Sequence, residues 1–352
     1  MVIRPMIAEI NHSLKRTKRA IISLGCSFVQ GQGAIHQSIF DEFSWTGLTT
    51  GYPAVTWDVS LKDTARLMEK FPDISVNAGD RKHTINFSIH ETNNSFVYQL
   101  ANKYFDKSYT PVNLGRAGCG NRATIKDLYF YPDINWHEME EIIVIYCPSG
   151  AERFDFINDT SCTVNDHHNR WKCIWPNDTA QHQRDLSVGY LETLFSTRFE
   201  VMEQITHMQE LLLWCKYMKA KLIVTPAFQE VYNRDKFIKF LKTDISRDES
   251  GRQVENEKTY PNSEYNGDRE RLIQKNKDII TLVDMWPWDK MFYPDGHVNW
   301  AKLCMAQEND DTYFYSYYGK GSPGRWITPC AHPGAKAHDL FAKLLHQHIE
   351  RM

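Results

Sequence analysis

The feature that most constrains this chain is a series of five short apolar runs separated by stretches with helical or turn character. Runs of this length are too short to span a bilayer and are typical of strands buried on both faces of a parallel sheet. Strand and helix patterns in alternation favour an α/β fold. The predicted strands cover residues 20–25, 110–114, 141–147, 221–226 and 278–284.

We therefore expect a flavodoxin-like three-layer α/β/α sandwich with a five-stranded parallel sheet. A single domain is expected for the 352 residues, with a closing amphipathic helix over 335–349. The segments between the predicted core elements are turn-rich or polar and have weak periodicity, so we interpret them as loop insertions. These insertions are predicted at 30–94, 151–188, 229–277 and 286–326.

Composition and charge argue against several classes of protein. Hydrophobic residues make up 42% and charged residues 24%, which is typical of a folded globular chain rather than a disordered one. The 41 basic and 44 acidic side chains give a net charge of −3, without the basic excess that nucleic-acid binding needs. The basic cluster at 15–19 precedes an apolar run too short for a secretory signal. Neither a nucleic acid nor a membrane is expected as a partner.

The turn after the first predicted strand carries a candidate nucleophile, Ser27. Ligand sites in parallel α/β sheets lie at the carboxyl ends of the strands, where this turn falls. Gly25 and Gly31 allow close backbone approach and leave amide N–H groups that can bind an oxyanion. The spacing matches neither the α/β-hydrolase elbow nor a phosphate-binding loop. An ordinary Gly/Ser turn is the alternative interpretation.

Two further segments could complete such a site. The sequence NLGRAGCGN over 113–121 is a strand followed by a glycine-rich turn, which is suited to binding an anion through backbone amides. The sequence PCAHPGAKAH over 329–338 leads into the closing helix. There His332 can reach the sheet edge and act as a general base.

Together the segments LGCSFVQGQG, NLGRAGCGN and CAHPGAKAHDLFAKLL resemble the SGNH (GDSL-type) hydrolases, in particular the bacteriophage type. The resemblance covers both ends of the chain, and the middle only through strand order. It implies the SGNH hydrolase fold, with Ser27 as the nucleophile and His332 as the base. Gly118, or the nearby Gly120, matches the glycine whose amide contributes to the oxyanion hole.

The segment after the third predicted strand departs from the family pattern. Where the family has Gly-x-Asn-Asp, this chain has CPSGAER over 147–153. That segment is similar to the Ser-Pro and Arg-Phe/Tyr pattern of the phage-type members. Asn121 and Ser149 are therefore the candidates for the second oxyanion donor, and Arg153 joins the predicted substrate-binding residues.

A second departure concerns the Asp that precedes the family's catalytic His by two or three residues. Here Pro329-Cys330 occupies those positions. Loss of the orienting carboxylate can lower activity by ~10⁴-fold. Asp284 and Asp295 are candidates to replace it. Asp295 lies in YPDGHVNW, which also offers His297 as an alternative base, although the final-helix context favours His332.

The resemblance implies a serine ester hydrolase that acts on a small acyl ester or an acylated glycan, such as an O-acetylated polysaccharide. The alternative is a catalytically weak or inactive SGNH-fold structural or virion protein, because a fold does not by itself carry chemistry. No cofactor is expected. A homo-oligomer or a virion assembly is compatible with either function, and the expected location is the host cytoplasm or the virion.

Two other groups of residues have less specific patterns. Cys162, His167, His168 and Cys173 have a spacing that fits no common zinc module, so we expect a solvated loop and no metal. An aromatic-rich region could stack on sugars or pack in the core, and packing explains most of it. It comprises Trp286, Trp288, Tyr293, Trp300 and the run Tyr313–Tyr318.

Overall fold

The computed structural model describes residues 3–31, 34, 45–51, 54–59, 61–78, 83–86, 88–115, 120–130, 134–149, 154–157, 171–174, 197–227, 232–235, 238, 243–247, 253–257, 280–308 and 332–352. Its helices are α1 (Ile3–Thr17), α2 (Ser27–Gln30), α3 (Leu61–Lys70), α4 (Ser88–Asn94), α5 (Phe96–Gln99), α6 (Asn121–Phe130), α7 (Thr197–Met218), α8 (Trp300–Glu308) and α9 (Ala335–Ile349). A π-helical segment, Leu100–Tyr104, continues α5.

The strands are β1 (Arg19–Gly25), β2 (Trp45–Gly51), β3 (Ala54–Val59), β4 (Ser75–Ala78), β5 (His83–Asn86), β6 (Thr110–Asn113), β7 (Glu141–Cys147), β8 (Phe154–Ile157), β9 (Trp171–Ile174), β10 (Lys221–Val224), β11 (Thr243–Arg247) and β12 (Gln253–Glu257). Short 3₁₀ turns cover Trp136–Glu138, Trp288–Lys290 and Pro294–Gly296.

A four-stranded parallel sheet in the order β10-β7-β1-β6 forms the centre of the fold. β1 pairs with β7 over its whole length, from Arg19 opposite Glu141 to Gly25 opposite Cys147. The chain passes from β1 to β6 on one side and then crosses to β7 on the other. The carboxyl end of β1 is therefore the point at which the strand order reverses, where parallel α/β sheets bind their ligands.

Alternate residues of the central strands face two separate apolar layers. Ile22 and Leu24 of β1 belong to a core cluster that includes buried side chains of α1, α6 and α7. Ile21 belongs to a second cluster with buried side chains of α5, α8 and α9. Helices thus cover both faces of the sheet, which is an α/β arrangement compatible with three α/β/α layers.

Four of the five predicted strands are confirmed, and the fifth is wrong. Residues 280–284 are helical, and the amide of Met285 bonds to the carbonyl oxygens of Thr281 and Leu282. Val283 is buried, whereas Ile280 is 44% exposed. The segment therefore buries one side only. A short apolar run has no periodicity that separates a buried strand from a helical turn.

Among the described residues, one isolated bridge lies at the edge of the sheet beyond β10. Met291 forms an isolated parallel bridge with Val224, and the amide of Phe292 donates to the Val224 carbonyl at 2.8 Å. This contact lies where a fifth strand would be expected. Among the described residues the sheet has four strands.

Three antiparallel units follow the central strands in the chain. β2, β3, β5 and β4 form a four-stranded sheet after β1, and the pairs β8–β9 and β11–β12 follow β7 and β10. Each unit comes after the carboxyl end of its parallel strand, within a range predicted as an insertion. The single-domain organisation stays a prediction.

Within the described ranges, none of the helices combines the length and the apolar character needed to cross a membrane.

Close backbone contact fixes α2 against the loop after β6. A Cβ atom built on Gly115 would lie 2.4 Å from the Gln30 nitrogen and 2.7 Å from the Val29 carbonyl carbon. Both contacts are to backbone, which cannot move aside as a flexible side chain could. Position 115 therefore requires glycine because of space, since its φ is not in the left-handed region.

We expect Gly115→Ala to lower the free energy of unfolding by about 3 kcal/mol, at the upper end of the usual cost of overpacking. Gly296→Ala is the contrasting variant, because Gly296 has a φ of +76° but no atom within 4 Å of the added Cβ. It should lose only about 1 kcal/mol, from backbone strain. Urea denaturation of both variants measures the difference, and equal losses would show that steric contact at Gly115 is not the cause.

Candidate active site

Ser27 is the first residue of α2, directly after the chain leaves β1. Gly25, the last residue of β1, has a φ of +156° and a Cβ there would lie 2.6 Å from the Cys147 carbonyl oxygen. A residue without a side chain thus lets the chain turn close to β7. Ser27 is partly exposed, so its hydroxyl is accessible at the sheet edge.

The Ser27 hydroxyl oxygen lies 2.8 Å from Nε2 of His332. The two residues are 305 positions apart and are joined only because α9, which begins three residues after His332, packs on the sheet. In neutral imidazole one ring nitrogen accepts and the other carries the hydrogen. Acceptance of the serine proton by Nε2 therefore places the ring hydrogen on Nδ1. This pair is the geometry of an activated nucleophile.

Aromatic rings support the imidazole. The Phe28 ring centroid lies 5.3 Å from that of His332, and Phe28 in turn packs edge to face on Trp300 at 5.8 Å. Phe28 and Trp300 are buried. Both rings belong to the second core cluster, which also includes Ile21. The position of His332 therefore depends on how this cluster packs.

Two thiols close to Ser27 are poor alternatives as nucleophiles. Cys26 and Cys147 are both thiols and are fully buried. Burial raises the pKa of the Cys147 thiol well above its ordinary value, and the nearby Cys26 raises it further. Buried thiols of this kind stay protonated and unreactive, whereas Ser27 is partly exposed.

Asn121 and Ser149 bond to each other rather than offering free donors. The Asn121 Oδ1 accepts the Ser149 amide at 2.6 Å, and its Nδ2 donates to Gln204 Oε1 at 2.6 Å and to the Ser149 carbonyl at 3.2 Å. The Tyr232 hydroxyl oxygen also lies 3.1 Å from Nδ2. Both amide hydrogens are used, and Asn121 is buried. These bonds form a bridge between α6 and the end of β7. An oxyanion donor at either residue stays a prediction.

Within the described residues, neither of the two candidate carboxylates, Asp284 and Asp295, bonds to His332. Asp284 pairs with Arg234 at 2.8 Å, and among the described residues it has no bond to His332. Asp295 is exposed and has a φ of +50° in its 3₁₀ turn, and within the described residues it makes no hydrogen bond or ion pair with His332. The structure pairs Ser27 with His332 and not with His297, whose amide bonds to the Pro294 carbonyl.

Other predicted residues fall outside the described part of the chain or have different surroundings. Gly118, Arg153 and the side chains of the Cys162–Cys173 loop are not described. Gly120 is buried and its carbonyl accepts the Thr124 hydroxyl at 2.9 Å. Among the aromatic residues, Trp286 and Trp300 are buried in the core, so their rings are not available to stack on a sugar.

Sequence reasoning assigned no role to His338. This residue lies on α9 three residues before Phe341 and seven before Leu345, both of which are buried. The available signal in the sequence was a histidine on the apolar face of the helix. A polar ring that is buried at such a position needs a hydrogen-bond partner.

Comparison of the chain with protein-family models, with curated proteins and with solved structures found no match. The interpretation of the site therefore depends on its geometry.

We expect Asn121→Ala to lower the free energy of unfolding by about 2–4 kcal/mol, because it leaves the buried Ser149 amide without an acceptor. Asn135→Ala is a suitable control, since Asn135 is exposed and, in the part of the chain that the structure describes, bonds only to the nearby Glu138. That variant should change stability by no more than about 0.5 kcal/mol. Urea denaturation of both proteins provides the measurement. A stable Asn121→Ala protein would show that the bridge is not structural.

His338 predicts a specific sensitivity to acid. Burial, together with the proximity of His332, lowers the pKa of His338 to about 3, whereas an unfolded histidine titrates near 6.5. Above pH ~6.5 both states are neutral. As the pH falls from ~6.5 towards ~3, only the unfolded state binds the proton, so stability is lost.

At pH 5 the expected loss from His338 is about 2 kcal/mol relative to pH 7.5. Denaturation at the two pH values measures the free energy of unfolding. Its decrease from pH 7.5 to pH 5 should be smaller by this amount in His338→Asn than in the wild type. The same drop in both proteins would contradict a neutral, buried His338.

Proposed function

We propose that the chain is a serine ester hydrolase of SGNH type in which Ser27 is the nucleophile and His332 is the general base. The observation that carries this proposal is the 2.8 Å contact between the Ser27 hydroxyl and His332 Nε2 at the carboxyl edge of the parallel sheet. The strand order agrees with the first four strands of the doubly wound 2-1-3-4-5 arrangement. The motifs at both ends of the chain resemble the same family.

In the proposed reaction Ser27 Oγ attacks the acyl carbon of an ester while His332 Nε2 takes the hydroxyl proton. The imidazolium then gives that proton to the departing alcohol, and an acyl-serine remains. Water, deprotonated by the same imidazole, attacks the acyl-serine and releases the carboxylic acid. Serine is restored at the end of the cycle.

The backbone amide of Ser27 is the proposed donor to the oxyanion. It is the first amide of α2, and within the described residues it makes no hydrogen bond. The first amides of a helix have no partner inside the helix. By resemblance, Gly118 supplies a second amide. A preorganised donor of this kind accounts for about 3–4 kcal/mol of transition-state stabilisation in serine hydrolases.

The proposed substrates are small acyl esters or acylated glycans, with O-acetyl groups on a polysaccharide as the first choice. This choice rests on the family resemblance. It is compatible with the partly exposed dyad, which a polymer-borne acyl group could reach.

Labelling with a fluorophosphonate probe tests the proposal. We expect the purified wild type to be labelled, labelling of Ser27→Ala to be abolished, and the rate for His332→Ala to fall by ~10³-fold or more. Ser108→Ala is the matched control, because Ser108 is exposed and, among the described residues, bonds only to the Phe105 carbonyl. It should label like the wild type. Circular dichroism establishes that each variant is folded.

Release of acetate from p-nitrophenyl acetate and from acetylated oligosaccharides then identifies the ester. Folded wild type that takes up no probe would contradict the Ser-His mechanism. That result would favour the alternative of an SGNH-fold structural or virion protein. Labelling that persists in Ser27→Ala would place the nucleophile at another residue.

A further inference from the structure

A buried histidine connects α9, the helix that follows His332, to the start of α5. His338 has no exposed surface, and its Nδ1 accepts the backbone amide of Phe96 at 3.0 Å. Phe96 is the first residue of α5, where an amide has no partner inside the helix. Because Nδ1 accepts, the ring hydrogen of the neutral imidazole is on Nε2.

Hydrophobic packing alone does not account for a histidine at this position. The ring stacks parallel to Phe96 and packs edge to face against Trp300 at 4.7 Å, contacts that a phenylalanine could also make. Within the described residues Nε2 has no hydrogen-bond partner, although it is buried. A polar ring is therefore kept in an apolar layer with a single hydrogen bond, the one to the Phe96 amide.

Asn113, the last residue of β6, binds α2, the helix that carries Ser27. Its Nδ2 lies 3.0 Å from the Val29 carbonyl and 3.3 Å from the Gln30 carbonyl, both in α2. The same atom lies 3.3 Å from the Ser95 hydroxyl oxygen. Asn113 therefore joins the end of α2 to the residue that directly precedes Phe96.

These contacts form a closed circuit around the dyad. From Ser27 it runs through α2 to Asn113, then through Ser95 and Phe96 to His338, and back along the chain to His332. The contact between His332 and Ser27 closes it. Each member fixes the distance between α2 and the start of α9, which is the distance on which the dyad depends.

We infer that His338 is a positioning residue for the dyad, and that it acts through the Phe96 amide to hold His332 at hydrogen-bond distance from Ser27. This inference rests on the proposed hydrolase function. His338 acts through its hydrogen bond and not through charge, since it is buried in its neutral form. Misplacement of a reacting group by about 1 Å can cost ~10²-fold in rate.

Two substitutions at this position separate the hydrogen bond from the shape of the ring. His338→Phe keeps an aromatic ring of similar size and removes the acceptor. His338→Asn places an amide oxygen near the position of Nδ1 and keeps the acceptor. His346→Phe is the matched control on the same helix, because His346 is partly exposed and packs on Phe105 at 4.8 Å, at the other end of α9.

Steady-state hydrolysis of p-nitrophenyl acetate and the rate of fluorophosphonate labelling provide the readouts. For His338→Phe we expect kcat and the labelling rate to fall by about 10–100-fold, with KM within about twofold of the wild type. His338→Asn should recover both rates to within about threefold, and His346→Phe should match the wild type. Ser95→Ala is a milder break of the same circuit and should lower kcat by about three- to tenfold if His338→Phe does not fold.

A wild-type rate in folded His338→Phe overturns the inference, and so do equal losses in His338→Phe and His338→Asn. If His338→Phe does not fold, an unchanged kcat in Ser95→Ala overturns it instead. Failure of the proposed function looks different, because folded wild type would then neither hydrolyse the ester nor take up the probe.

Discussion

Burial of β1 and β7 on both faces is the constraint on which the remaining structure depends. Every residue of β1 from Ala20 to Gly25 is buried, and so is every residue of β7 from Ile142 to Cys147. Strands of this kind are stable only when two layers of helices exclude water from both faces. The parallel direction also requires long connections, since adjacent parallel strands cannot be joined by a tight turn. The helices and the antiparallel units occupy those connections.

The same arrangement brings Ser27 and His332 together at one edge of the sheet. Parallel strands end at a common edge, so the turn after β1 and the lead into α9 can meet there although they are 305 residues apart in the chain. The polar groups below the dyad are bonded in pairs, as between Asn121 and Ser149 or between His338 and the Phe96 amide. Ser27 and His332 are partly exposed and bond to each other at this edge.

The sequence predicted β1 and β7 well because both strands are buried after their first residue. The predicted range 141–147 coincides with β7, and the closing helix was predicted with its observed bounds, 335–349. The run at 278–284 failed because it buries only one side and its residue types are compatible with strand or helix. Ser27 and His332 could be selected because each lies in a turn with a distinctive local sequence.

Asn113, Asn121 and His338 could not be assigned in the same way. Their roles arise from bonds to residues between 18 and 242 positions away, and such contacts leave no periodic pattern in the sequence. Side chains that bond across layers become visible only when the layers are assembled.

The separation of the dyad along the chain also bears on the timing of its assembly during synthesis. Ser27 is added to the growing polypeptide 305 residues before His332, an interval of roughly 15–60 s at ribosomal rates of about 5–20 residues per second. Until α9 leaves the ribosome, one face of β1 and β7 lacks its last helix, and Ser27 lacks its contact with His332. The contact between Ser27 and His332 therefore forms in the same step that completes the second apolar layer.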